Sequence, residues 1–528
     1  MDLVIRNGDV IDGTGSPPRR ADVAVKGDSI VAVEPDCTAA ATRVIDATGL
    51  VVAPGFIDAK THSDFSLPLY PRAESRVHQG VTTELVGSCG FTAAPIPPGR
   101  LPVVADYLAA MGPGMTLSES NFADYLDAFP KTSVNVATQV GHNTLRVAVM
   151  GLDNRAPTTD EQAAMERLAE AALEAGAFGV SSGPFTAPGA YAKPVELEAL
   201  ATITARRGGT YATHLRDEAE NVLGAVDEVI AVAERTGART RIVHVKLSGT
   251  PGWGRAPLLI EKVEAARRRG LSIDCDHYPY TTAVNPVRNL LPAWVQEGGD
   301  ARFLERLGDA SVREAVDKEI AARGLNAFGR IVSWDAVRIS TSPNCTDAVG
   351  RTVAEIATER QCAPIDVLCA VLAADRGATR ALITAMDERD VAAFVACRWV
   401  LVGSDGRAVG PGGPLSRDLP HPRFYGTFPR VLGHYARDRG LLTLAEAVHK
   451  MTGATAAALG LGDRGILRKG AKADITVFDP KTIADTATFD EPRRTPTGIA
   501  HVVVNGVAVI DQGVHTGALP GRILRRVG

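Results

Sequence analysis

The sequence lacks the features that mark membrane, secreted and nucleic-acid-binding proteins. No uninterrupted apolar run is long enough to span a bilayer, and the first six residues show no basic-then-apolar signal pattern. The 57 Lys and Arg residues are balanced by 61 Asp and Glu residues, so nothing points to nucleic acid or an anionic membrane as a partner. The seven cysteines are scattered and odd in number, which argues against a disulfide framework and favours a cytoplasmic location.

Short alternating strands separated by turn signals occupy both ends of the chain. Near the start, Asn7-Gly8 and Lys26-Gly27-Asp28 are hairpin signals, and near the end Asn505-Gly506 is another. A chain of 528 residues is too long for one simple core. We therefore expect a small β-sandwich built from residues 1–53 and 463–528. Two unrelated β flaps would also fit the pattern.

The middle of the chain, residues 54–462, alternates apolar strands with amphipathic helices, which is typical of a (β/α)8 barrel. Between Tyr280 and Trp399 the alternation stops for longer than two βα units need, and we expect an inserted subdomain at about residues 284–343. The predicted barrel strands are Val51 to Ile57, Thr82 to Gly87, Ser133 to Val140, Ala177 to Ser182, Thr210 to Leu215, Arg241 to Leu247, Ser272 to Tyr278 and Trp399 to Asp405.

Reactive side chains follow many of these strands. A lone His or Cys beside an apolar run is usually a core residue, but here several occur at successive strand ends, which would converge on one face of a barrel. A mixture of Cys sulfur and His nitrogen suits Zn²⁺, and a catalytic zinc site keeps one position open for water. The strand-end residues are Lys60, His62, Cys89, His214, His244, Lys246, Tyr278 and Asp405.

Several motifs in order resemble the N-acyl-D-amino-acid deacylase (D-aminoacylase) branch of the amidohydrolase superfamily over essentially the whole chain. The motifs are Pro54 to His62, Gly87 to Gly90, Thr213 to Glu218, His244 to Lys246, Tyr278 to Tyr280, Gly403 to Gly406 and His421 to Gly433. The resemblance implies a distorted TIM barrel with a small β-sandwich. It also implies zinc-dependent hydrolysis of the amide bond of a small N-acyl-D-amino acid; the oligomeric state stays open.

The resemblance also assigns expected roles to residues. The tightly held zinc would lie on Cys89, His214 and His244, and Asp405 would serve as general base and acid. In the family a weaker second metal uses a His-x-His pair and this Asp, of which only His62 and Asp405 match here. The α-carboxylate of the substrate would be held by Lys246, Tyr278 and Arg423.

Lys60 stands where the family has the first His of that pair. An ammonium group cannot ligate a cation and repels one, so we expect the second metal site to be absent or weak, with the charge of Lys60 as a possible substitute for the second metal. Three readings stay open at this point. Lys60 is a natural variant in a one-zinc enzyme, an engineered loss-of-function change, or the mark of a homologue that binds without turnover.

The sequence also leaves an alternative reaction and predicts residues of the substrate pocket. Cyclic amide opening, as in hydantoinase or dihydroorotase relatives, is the alternative reaction, although such enzymes usually keep a bridging lysine where this chain has Cys89. We expect residues 181–185, Trp253 and Phe424 to line the substrate pocket. The remaining histidines near family motifs are expected to be structural, namely His142, His277 and His434.

Overall fold

The two ends of the chain form one nine-stranded sheet. The computed structural model describes residues 1–526 except 113, 327 and 417. Val51–Pro54 pairs antiparallel with Ile475–Phe478 and so joins the N-terminal strands to the C-terminal ones. The ends therefore belong to one unit rather than two separate flaps. Its strands are Leu3–Val10, Arg19–Lys26, Ser29–Glu34, Arg43–Asp46, Val51–Pro54, Ile475–Phe478, Ile499–Val504, Val507–Asp511 and Val514–His515.

Parallel strands in eight successive positions form the distorted barrel that the sequence predicts. The first and last positions are joined where the Ala59 N–H donates to the Val402 carbonyl at 3.2 Å. The third position is split into two short strands on either side of Gln139. The strands are Phe56–Asp58, Val81–Val86, Asn135–Thr138 with Val140–Gly141, Gly179–Ser182, Thr210–Thr213, Arg239–Ile242, Ile273–His277 and Val400–Val402.

The predicted strand from Val51 to Ile57 is two strands. Val51–Pro54 belongs to the terminal sheet, whereas Phe56–Asp58 opens the barrel. Gly55 lies between them, and a Cβ at this position would come within 2.2 Å of the Thr82 side chain. Only a glycine lets the backbone pass this close to the next barrel strand while it crosses from one sheet to the other.

Helices cover the outside of the barrel. Thr159–Glu174 shows how the sequence sets them, because Thr158 and Glu161 form a reciprocal capping box and its buried face is Met165, Ala169, Ala172 and Leu173. Among the described residues, every helix is too short or too polar to cross a bilayer. The α-helices are Glu74–Val77, Leu101–Leu108, Phe122–Ala128, His142–Met150, Thr159–Glu174, Pro194–Arg206, Val222–Thr236, Ala256–Arg268, Gly299–Gly308, Ala310–Arg323, Val353–Arg360, Pro364–Ala374, Glu388–Ala396, Arg423–Arg430, Leu444–Met451 and Gly453–Leu459.

The long segment between the last two barrel strands folds around a small antiparallel sheet. Arg380–Thr384 is its middle strand, with Thr282–Pro286 on one side and Val337–Thr341 on the other. The sheet therefore includes a strand beyond residue 343, while the domain boundaries given above stay predictions. This sheet stands over the carboxyl ends of the barrel strands, because Arg380 and Asn285 line the same cavity as the barrel's His244.

Phe56 holds the barrel and the terminal sheet together. Its buried ring stacks on Phe428 at 5.9 Å between centroids and meets Phe478 edge-on at 6.1 Å. Phe56→Ala should lower the free energy of unfolding by about 3–5 kcal/mol, since it leaves a cavity between two packed layers. Urea denaturation followed by fluorescence measures the change. Phe129→Ala, at a partly buried ring, is the control and should cost less than half as much; an equal loss would contradict the assignment.

Candidate metal centre

Three side chains from three barrel strands meet at one point. One donor atom each of Cys89, His214 and His244 lies within 4.8 Å of the others, and all three residues are buried. The Cys89 Sγ atom is 3.2 Å from Nε2 of His244. A thiolate and two imidazoles at these separations fit a single Zn²⁺ with a fourth position left for another ligand. The predicted proximity of these three residues therefore agrees with the structure. Their role as metal ligands stays a prediction.

The backbone turns sharply at the site residues. Cys89 has φ 54°, His244 has φ 36° and Asp405 has φ 50°, all in the left-handed region that non-glycine residues rarely occupy. Such residues cost about 1–3 kcal/mol each and persist where neighbouring contacts fix them. Here the His244 N–H donates to Asp276 Oδ1 at 2.7 Å, and the Asp405 N–H donates to the Lys60 carbonyl at 3.0 Å.

Glu218 is a site residue for which the sequence predicted no role. Its Oε1 lies 3.3 Å from His214 Nε2, 3.2 Å from His244 Nδ1 and 2.6 Å from Lys246 Nζ. Although burial opposes ionisation, the charges of His214 and Lys246 hold the pKa of Glu218 well below its usual range. Glu218 accepts a hydrogen bond from Lys246, and its negative charge lies beside both imidazoles of the candidate metal cluster. The sequence did contain a signal for Glu218, because this residue ends the Thr213 to Glu218 motif four residues after His214.

Lys60 lies between His62 and Asp405, the two residues expected to remain of the second-metal set. Its ammonium forms a close ion pair with Asp405 and is 2.9 Å from His62 Nε2. Burial lowers the pKa of Lys60 to about 8. Arg423 approaches Asp405 from the other side, with Nη2 at 2.8 Å from Oδ2. Asp405 is thus held between two cationic side chains beside the three-residue cluster.

A cavity of about 240 Å³ opens over the cluster. Its floor carries His62, Cys89, His214, His244 and Asp405, so the predicted ligands and the predicted base share one space. The predicted carboxylate receptor opens on the same cavity through three side chains. These are Lys246, Tyr278 and Arg423, with the Arg423 guanidinium 4.5 Å from the centre of the Tyr278 ring.

Some of the residues predicted to line the substrate pocket do line the cavity. Phe185 stacks on His214 at 3.6 Å between centroids, and Phe424 also lines the cavity. In the described part of the chain, Trp253 does not line the cavity, so this prediction was wrong. Its indole N–H donates to the Ala385 carbonyl. Ser181 is bonded to backbone atoms of the loop that carries Cys89.

The other histidines take part in structural contacts. His142 Nε2 lies 2.7 Å from the Glu196 carboxylate, away from the three-residue cluster. His277 Nδ1 is 2.7 Å from the Val245 carbonyl, and the His434 ring packs edge-on against Tyr435. None of the three lines the cavity within the part of the chain that the structure describes.

Comparison with known proteins decides the family. The profile of the amidohydrolase family matches residues 43–510. The chain belongs to the amidohydrolase family. This amidohydrolase is 39% identical over 529 residues to D-aminoacylase of Alcaligenes xylosoxydans xylosoxydans, covering 100% of this chain and 98% of the relative. It is also 39% identical to N-acyl-D-glutamate deacylase of the same organism, covering 100% and 97%.

A solved structure agrees with these sequence relatives. N-acyl-D-glutamate deacylase from Bordetella bronchiseptica, complexed with zinc and a phosphonate inhibitor, is 37% identical to this amidohydrolase. The match covers 99% of each chain with a TM-score of 0.84. The resemblance to the D-aminoacylase branch is therefore confirmed, as is the barrel with its β unit from both termini.

Removing the thiolate should abolish metal binding by this amidohydrolase. Cys89→Ala leaves two imidazoles, and we expect bound zinc to fall to a small fraction of the wild-type content after dialysis, measured by elemental analysis. Cys275→Ala is the matched control, since Cys275 is a buried barrel cysteine outside the cluster. If both variants kept or both lost their metal, Cys89 would not be a ligand.

Proposed function

We propose that this amidohydrolase hydrolyses the amide bond of N-acyl-D-amino acids, in a zinc-dependent reaction that gives a carboxylate and a D-amino acid. One observation carries the proposal. The cluster of Cys89, His214 and His244 shares its cavity with a carboxylate, Asp405, and with a group of cations suited to a substrate carboxylate. The full-length similarity to D-aminoacylase and to N-acyl-D-glutamate deacylase supports the same reaction.

The residues divide the chemistry in a simple way. Zinc at Cys89, His214 and His244 would polarise the amide carbonyl and lower the pKa of water to about 7. Asp405 accepts the proton of the attacking water and passes it to the leaving nitrogen. The positive charges of Lys60 and Arg423 favour the ionised carboxylate of Asp405, which is the form that can accept this proton.

The substrate carboxylate has a receptor on the cavity wall. Arg423 has two guanidinium nitrogens, Nε and Nη1, without a hydrogen-bond partner among the described residues. The Tyr278 hydroxyl likewise has none, and Lys246 adds a second positive charge. A guanidinium N–H, the Tyr278 hydroxyl and the Lys246 ammonium can each donate to a carboxylate oxygen, so these groups would hold the α-carboxylate of the amino acid. Tyr278 could also donate to the developing oxyanion.

The reaction as proposed needs one metal ion. The Lys60 ammonium already occupies the space between His62 and Asp405, the two remaining members of the second-metal set. We take Lys60 as a natural feature of a one-zinc enzyme because the rest of the site is intact. The Lys60→His variant below distinguishes this proposal from an engineered lesion and from a homologue without turnover.

Two other functions are less well supported. Hydantoinase structures match at 15% identity with TM-scores up to 0.57, which shows the shared fold alone. A binding protein without activity would have no need of Asp405 beside the metal cluster. The cellular location we propose is the cytoplasm, since all seven cysteines are free thiols.

Substrate assays test the reaction. The zinc-loaded protein should release D-amino acids from an N-acetyl-D-amino acid panel and leave the L isomers and hydantoins essentially untouched, because the receptor and Asp405 fix one configuration at the α-carbon. Product is followed by amine detection or chiral chromatography. Asp405→Asn should lose at least about 100-fold in kcat while retaining zinc. Preferential opening of hydantoins would favour the cyclic alternative instead.

A second variant tests the one-metal reading. Lys60→His removes a buried charge and restores the His-x-His pair, so the protein should bind a second zinc ion, detected by elemental analysis and calorimetry. In a natural one-zinc enzyme, activity should stay level or fall. A large rise in kcat together with the second ion would show that Lys60 is a lesion. Lys60→Met removes the charge without adding a ligand and is the matched control.

A further inference from the structure

Two arginines of the cavity are not used by the reaction proposed above. Arg407 follows Asp405 by two residues, and Arg380 opens the middle strand of the inserted sheet. Both line the main cavity, and both also line a small side pocket that continues from it. They come from different parts of the chain, so the fold places two positive charges together on one wall.

These guanidinium groups form no close ion pair within the described part of the chain. Arg407 is only 6% exposed, its Nη2 atom is buried, and its side chain donates no hydrogen bond among the described residues. Arg380 donates one bond, to the Ala110 carbonyl at 3.0 Å. Neither forms an ion pair within 4.0 Å in the described part of the chain. Asp418, which borders the side pocket, acts on both guanidinium groups from farther away, and the buried Asp64 acts on Arg407. A buried cation without a partner is costly, which points to an anion supplied from outside.

The other buried charges of the cavity are already paired. Glu218 is bonded to Lys246, Asp300 lies 2.8 Å from Arg288, and Asp405 is held by Lys60 and Arg423. The remaining acidic residue on the wall, Asp106, is exposed at the rim. Burial and the neighbouring charge of Arg407 hold the pKa of Arg380 well below its ordinary value, although the charge of Asp418 acts in the opposite direction.

We propose that Arg380 and Arg407 form a second anion subsite, which binds a second carboxylate on the substrate. This inference rests on the proposed deacylase function, in which Arg423 and Lys246 hold the α-carboxylate. The second carboxylate can come from an acidic amino-acid side chain or from a dicarboxylic acyl group. In either case the preferred substrate carries two negative charges, and an uncharged analogue of the same shape leaves the subsite unfilled.

Matched substrate pairs separate the two sources. N-acetyl-D-glutamate is compared with N-acetyl-D-glutamine, and N-succinyl-D-leucine is compared with N-butanoyl-D-leucine. We expect kcat/KM for the acid to exceed that of its neutral partner by about 10- to 100-fold in one pair, the range for hydrogen bonds to a charged group. The pair that shows the preference identifies the part of the substrate that carries the second carboxylate.

Arginine variants tie the preference to the subsite. Arg407→Gln and Arg380→Gln should each bring the acid-to-neutral ratio close to one. Arg376→Gln is the matched control, because Arg376 is an exposed arginine on the same cavity rim, and it should keep the wild-type ratio. Absence of any preference in both pairs, or variants that lower acid and neutral substrates equally, would overturn the subsite.

Binding measurements test the anion subsite independently of the proposed hydrolysis. If the protein hydrolyses none of the four compounds, the deacylase proposal fails on its own. The Kd values of N-acetyl-D-glutamate and N-acetyl-D-glutamine for the zinc-loaded protein, measured by calorimetry, then decide the subsite. Tighter binding of the dicarboxylate that Arg407→Gln removes supports it, and equal Kd values overturn it. If the protein hydrolyses neutral N-acetyl-D-amino acids with no preference for acids, the deacylase proposal is supported and only the subsite proposal is contradicted.

Discussion

The site depends on a buried ammonium paired with a partly exposed carboxylate. Removing a lysine charge from water costs several kcal/mol unless a close counter-charge compensates, and Asp405 supplies that charge. The same two residues also join the first and last barrel strands, because the Lys60 carbonyl accepts the Asp405 N–H. Two unit charges 4 Å apart repel by about 4 kcal/mol at an effective dielectric constant near 20, and a divalent ion would double that. The contact that closes the barrel would thus also repel a second cation, as proposed above.

Backbone conformation and neighbouring side chains position the residues of the candidate metal cluster. Cys89 and His244 adopt left-handed backbone angles that bring their side chains back over the barrel mouth. Asp276, on the next strand, holds the backbone of His244, and Glu218 faces both imidazoles. Such supporting contacts keep a site within the small tolerances that ligation requires. The strain at these positions is offset by neighbours that belong to other strands.

The sequence predicted the barrel, the β unit from both ends and the residues that meet at the site, because strand-end motifs report directly on a barrel's carboxyl face. It did not predict that one apolar run changes sheets at Gly55, since the run is continuous and the change depends on Thr82. Nor did it predict the pairing of Ile523 with barrel residue Val136, or the approach of Arg380 from the inserted sheet. These features arise from long-range contacts without a local sequence signal.

The proposed ligands and the proposed subsite lie on different parts of the chain. Cys89, His214 and His244 follow short parallel strands, whose positions are fixed by the hydrogen bonds of the barrel. Arg380 instead lies on the sheet of the insertion, whereas Arg407 shares the loop after the last strand with Asp405. A substitution at Arg380 would therefore alter the charge of the cavity wall without touching the loop that carries Asp405. Selectivity placed on such a segment can change between proteins of one fold while the barrel stays the same.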